Sequence, residues 1–93
     1  MSAKQRLKAL REFLKLRGYG RGYRYSAIPV YVDDPVYGLC ENAGMLREQW
    51  STVEIAANAV DGEMWFIDVW AIFGHCEGSV IDGLTFTFPE GSQ

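Results

Sequence analysis

The segment 63–73, EMWFIDVWAIF, constrains the fold of this chain more than any other stretch. Aromatic and β-branched residues dominate it, which favours a strand. Alternation puts Trp65, Ile67, Val69, Ala71 and Phe73 on one face and Met64, Phe66, Asp68, Trp70 and Ile72 on the other. Both faces are apolar, so the strand is expected at the centre of a sheet and covered on both sides.

Its partners are sought in the other apolar runs. Residues 80–88, VIDGLTFTF, read as a strand with Leu84, Phe86 and Phe88 inward and Thr85 and Thr87 outward. Residues 25–32, YSAIPVYV, read as another. Pro29 has no N–H to give a ladder and belongs at an edge or a bulge. Residues 51–60, STVEIAANAV, support two readings. Ser51 and Glu54 fit a capping box and three alanines favour helix. Yet Val53, Ile55, Ala57 and Ala59 alternate ahead of the turn pair Asp61-Gly62, and this favours a strand in a hairpin. The segment 74–79, GHCEGS, reads as loop. Asp34 and Pro35 fit a helix start, and 43–49, AGMLREQ, is the more helical part of 36–49.

Residues 3–17, AKQRLKALREFLKLR, read as a helix with Ser2 as N-cap and Gly18 just past its end. Leu7, Leu10, Phe13, Leu14 and Arg17 follow helical spacing, while Lys4, Lys8, Arg11 and Lys15 lie on the other side. The expected fold is α+β: one domain over 1–93, with an N-terminal amphipathic helix packed on an antiparallel sheet of three to five strands. The division is 1–17 helix, 18–24 turn, 25–88 mainly β and 89–93 a frayed tail.

At 48% hydrophobic residues the composition is that of a globular domain rather than a disordered chain. The longest apolar run, 69–73, falls far short of the roughly 20 residues of a membrane span. The basic N-terminus lacks the apolar core of a secretory signal. The expectation is a soluble, cytoplasmic protein with no membrane partner. Cys40 and Cys76 are then thiols, although in an oxidising compartment they offer one bridge.

The net charge of −3 conceals a division. Residues 1–24 carry eight lysines and arginines against Glu12 alone, and residues 25–93 carry Arg47 against eleven acids. Such asymmetry points to an anionic partner for one end, a cationic partner for the other, or one half folded on the other. Three function classes follow. The first is a non-enzymatic protein-binding module of inhibitor or immunity type, which occludes a partner's basic surface through Asp33, Asp34, Tyr31, Tyr37, Asp61 and Glu63. In its size and lack of catalytic motifs the chain is similar to the broad group of small acidic proteins of phages and mobile elements that act against host defence systems. That likeness is one of type and matches no family.

The second class is nucleic-acid binding through the basic N-terminal helix and RGYGRGYRY, 17–25. Arg17, Arg21 and Arg24 suit phosphate, and Tyr19 and Tyr23 suit stacking on unpaired bases. The alternative for the same stretch is a glycine turn that ends the helix. The glycines at 18, 20 and 22 lack GxGxxG spacing and follow a helix, so no nucleotide loop is read here. The third class is a small enzyme using Cys40, His75 and Cys76. One histidine and two unpaired cysteines fall short of a closed zinc site, and no metal or cofactor is expected. Asp68, among apolar neighbours, requires a cation or hydrogen-bond donor, with Arg47 or an arginine of 17–24 as candidates.

Overall fold

The computed structural model describes residues 1–30, 49–73 and 76–91. Helix α1 (Ala3–Leu16) is followed by strand β1 (Arg24–Pro29), helix α2 (Thr52–Asn58) and strands β2 (Met64–Phe73) and β3 (Cys76–Thr87). The strands form an antiparallel sheet in the order β1-β2-β3, so the described fold is α+β with two helices and a three-stranded sheet. The segment 63–73 is central, as its sequence demands.

α1 forms where expected. Ser2 accepts from the Gln5 N–H, and the Gln5 side chain accepts from the Ser2 N–H, which closes a capping box. Leu10 and Leu14 are buried, while Lys4, Lys8, Arg11 and Lys15 are exposed.

The strand expected over 51–60 is instead α2. Ser51 and Glu54 make both bonds of a capping box. Ile55, Ala56 and Ala59 are buried and Val53 and Ala57 are exposed, so burial follows the helical period and not the alternation. Gly62, at φ 81°, turns the chain from α2 into β2 rather than closing a hairpin. α2 has no basic residue in its last turn, and α1 supplies one: Arg6 Nε donates to the Ala56 carbonyl at 2.9 Å. Arg6 Nη1 also donates to the Met1 carbonyl at 2.7 Å and to Asp61 Oδ1 at 3.1 Å.

The loop expected over 74–79 is shorter. β3 begins at Cys76, opposite Phe73, which leaves positions 74 and 75 to connect the strands. Register slips between Val69 and Trp70, where Asp82 and Val80 are the successive partners and Ile81 is the extra, half-exposed residue of a bulge. Gly83 faces Asp68, whose Oδ1 lies 3.4 Å from where a Cβ would stand. The expected helical piece 43–49 lies outside the described residues except for Gln49, which bridges to Ser26 on the outer side of β1. Pro29 ends β1 opposite Trp65.

The register assigns the faces. Tyr25 and Ala27 of β1, Val69, Ile67 and Trp65 of β2, and Leu84 and Phe86 of β3 share the side that packs with Leu10, Leu14, Ile55 and Phe88. Full burial of side chains of this size stabilises by ~1.5–3 kcal/mol each. The opposite face of β2 is less covered than expected: Phe66, Asp68 and Trp70 are half-buried and Met64 is exposed. Among the described residues both helices contribute to the first face, which accounts for the difference. Near the tail Phe88 is fully buried, and the Glu90 side chain lies over Gly62.

Candidate functional site

Residues 19–25 of the sequence RGYGRGYRY form one wall of a concavity in the described molecule. Its geometry starts at the end of α1. Arg17 is the C-cap and Gly18 adopts φ 85°, which side chains avoid. The Gly18 N–H donates to Lys15 O at 3.0 Å and the Tyr19 N–H donates to Leu14 O at 2.8 Å. These two bonds make a Schellman motif, and Tyr19 packs against the hydrophobic core. The helix end therefore dictates where Tyr19 sits.

The loop is then fastened to the sheet by hydroxyls. Tyr19 Oη donates to Asp82 Oδ2 on β3 at 2.8 Å. Tyr25 Oη on β1 lies 2.8 Å from the Tyr19 carbonyl and 3.3 Å from the Gly20 carbonyl, within donating distance of both. The hydrogen bond to Asp82, chiefly, raises the Tyr19 pKa above its ordinary value, and burial raises that of Tyr25. Both remain protonated donors at neutral pH. Gly22, at φ 90°, turns the chain into β1. The Tyr23 ring meets Tyr19 edge-on, with centroids 5.2 Å apart.

Across from this loop stand Trp50 and the first turn of α2. Trp50 is half-buried and rests on the fully buried Trp65, centroids 5.5 Å apart. Loop, α1 and α2 enclose about 770 Å³, within the usual range for ligand sites. The lining includes four cations, Arg11, Lys15, Arg21 and Arg24, and four aromatic residues, Tyr19, Tyr23, Tyr25 and Trp50. Glu54 is the one acid among the described lining residues. The positions 4, 8, 11 and 15 make one row along α1, so an exposed cationic stripe runs down the helix into the concavity.

Of the residues expected to bind an anion, Tyr19, Arg21, Tyr23 and Arg24 line the concavity. Arg17 does not: its guanidinium lies 4.5 Å from the centroid of the Phe13 ring, a cation–π contact on α1. Arg11 and Lys15 of the basic helix face also line the site, as do Trp50 and Glu54, which no sequence feature placed there. The spacing of Arg11 and Lys15 placed them together on one helix face. Nothing local tied Trp50 to them.

Of the acidic and aromatic candidates, Tyr31, Asp33, Asp34 and Tyr37 lie outside the described residues. The other two make contacts within the protein. Asp61 pairs with the Met1 ammonium and with Arg6, and these bonds, the ammonium's foremost, hold its carboxyl below the usual range. Glu63 Oε1 accepts from Trp65 Nε1 at 2.8 Å and from the Val60 N–H at 3.2 Å. Cys40 and His75 lie outside the described residues, and of Cys76 only its place at the start of β3 is described. Among the described residues no three His, Cys, Asp or Glu side chains gather as a metal site, and no helix is long and apolar enough to cross a membrane. No protein-family model matches the chain, and searches of curated proteins and of solved structures return no match.

Proposed function

We propose that this chain is a non-enzymatic binding module whose ligand is single-stranded nucleic acid. The observation that carries the reading is the concavity between loop 18–23 and Trp50, where four cations and four aromatic rings meet and Glu54 is the one acid among the described lining residues. Lysine and arginine neutralise phosphates, and aromatic rings stack on bases whose faces are open only in single strands. Tyr23 and Trp50 are half-buried and supply ring surface, while the Tyr19 hydroxyl is held by Asp82 and the Tyr25 ring is buried. The stripe of Lys4 and Lys8 extends the cationic track away from the site. The eleven acids of 25–93 weaken long-range attraction to any polyanion, so affinity rests on the local charge and on stacking.

The test is fluorescence anisotropy with a labelled oligothymidylate, a duplex of matched length and labelled polyglutamate, each at two salt concentrations. The single strand is expected to bind most tightly. Phosphates neutralised by Arg11, Lys15 and Arg21 give a slope of log K against log salt of about −2.1 for a single strand. Absence of single-strand binding at low salt, or equal affinity for polyglutamate, refutes the reading. Capture of a basic protein at low salt, with no oligonucleotide bound, favours instead the protein-binding class expected from the acids of 25–93.

A further inference from the structure

The glycine at position 20 has no role in the fold. Gly18 and Gly22 need positive φ, but Gly20 does not, and a Cβ built on Gly20 meets no protein atom within 4 Å. Glycine at such a place permits close approach of something outside the chain. The polarity of the loop indicates what approaches. The Tyr19 and Gly20 carbonyls both face the Tyr25 hydroxyl, whose one proton goes to the nearer, that of Tyr19. The N–H groups of Gly20, Arg21 and Gly22 donate to no acceptor among the described residues. All three residues line the concavity, between Lys15 and Arg24. Successive backbone N–H groups beside cations make an anion seat.

We infer that the backbone amides of Gly20, Arg21 and Gly22 seat a phosphate group of the bound strand. This inference rests on the nucleic-acid reading and adds a fixed point to it. The arginine side chains attract the strand, and the loop amides fix its position. Tyr25 keeps the carbonyl dipoles directed toward its own hydroxyl, and so leaves the donor groups of the loop to the ligand. Charge-assisted bonds from backbone amides are strong when the donors are held in place.

Two measurements on the full chain test it. In the first, amide chemical shifts are followed by NMR while inorganic phosphate, and separately oligothymidylate, is added. Saturable shifts led by Gly20, Arg21 and Gly22 are expected with both. In the second, Gly20→Ala is compared with wild type. Its urea midpoint is expected to be unchanged, because the new methyl meets no protein atom, while oligonucleotide affinity falls about tenfold from loss of close approach. Arg21→Ala weakens binding but leaves the phosphate-induced amide shifts in place. If the oligonucleotide binds, and Gly20→Ala binds it as wild type does with no shift at these amides, the phosphate seat is wrong and the wider reading survives. If no oligonucleotide binds, the wider reading falls. The seat then stands or falls on whether inorganic phosphate shifts these three amides.

Discussion

Ser26 carries the most direct test of the packing. It lies in β1 opposite Asp68, is 0% exposed, and its hydroxyl has no hydrogen-bond partner among the described residues. A buried hydroxyl without a partner costs ~1–3 kcal/mol by mutational measures. Ser26→Ala removes it and keeps the Cβ. The void left is about 15 Å³ if a hydroxyl is taken as half of a water's share of liquid volume. At ~24 cal/mol per Å³ that void costs only ~0.4 kcal/mol. The desolvation term wins, and the variant should be more stable by about 1.5 kcal/mol, which for a domain of this size raises Tm by about 6–12 °C. Urea titration of both proteins, with equal m-values as the check on two-state unfolding, gives the difference directly. A Ser26→Ala protein less stable than wild type by ~0.5 kcal/mol or more refutes the reasoning, because the hydroxyl would then be making a bond worth keeping.

Three further outcomes follow from the site and its frame. Gly22→Ala, at φ 90°, should lower stability by ~1 kcal/mol in the same titration, whereas Gly20→Ala should not. Glu54→Gln keeps a side chain able to complete the capping box but removes an acid of the concavity, so anisotropy should show single-strand affinity rising roughly two- to threefold at low salt. Asp61 has a lowered carboxyl pKa, so its contribution to stability is present above the ordinary carboxylate value and is lost as pH falls through the lower, folded-state value. Asp61→Asn should therefore be less stable than wild type at pH 7, and the urea midpoints of the two should converge as the pH is lowered below about 4.

Features with a strong local cause could be read from the sequence. The two-faced strand at 63–73, the helix at 3–17 and its stop at Gly18 all appear where their residues require them. The failures have physical reasons. In 51–60 alternation and capping gave opposite answers, and capping prevailed because Ser51 and Glu54 satisfy the first N–H groups of α2 while Ile55, Ala56 and Ala59 still reach the core. Gly78 and the bulge at Ile81 obscured the first half of β3, because strand patterns assume an unbroken period of two. Half of the candidate site was legible, since RGYGRGYRY announces its chemistry by composition. Trp50 and Glu54 enter only through tertiary packing, 25 or more residues from the loop they face, and no periodicity encodes that. Asp61 and Glu63 stood out as acids near a strand end, but acids at such positions also satisfy ammonium, guanidinium and indole donors within the protein.

The Schellman closure at Leu14, Lys15, Gly18 and Tyr19 makes α1 and the loop one phased part. Each residue of an α-helix turns the chain by about 100°. Inserting one residue within α1 would turn everything upstream of it by that angle, and would swing Arg6 away from Ala56 or carry Leu10 out of the core. Removing one does the same in the opposite sense. The tip at Gly20 and Arg21 has open space around its glycine and is free of that phase. A change of length within α1 would therefore re-aim the whole cationic wall against the sheet, whereas substitution of an exposed lysine or arginine on it would change the charge and keep the bearing.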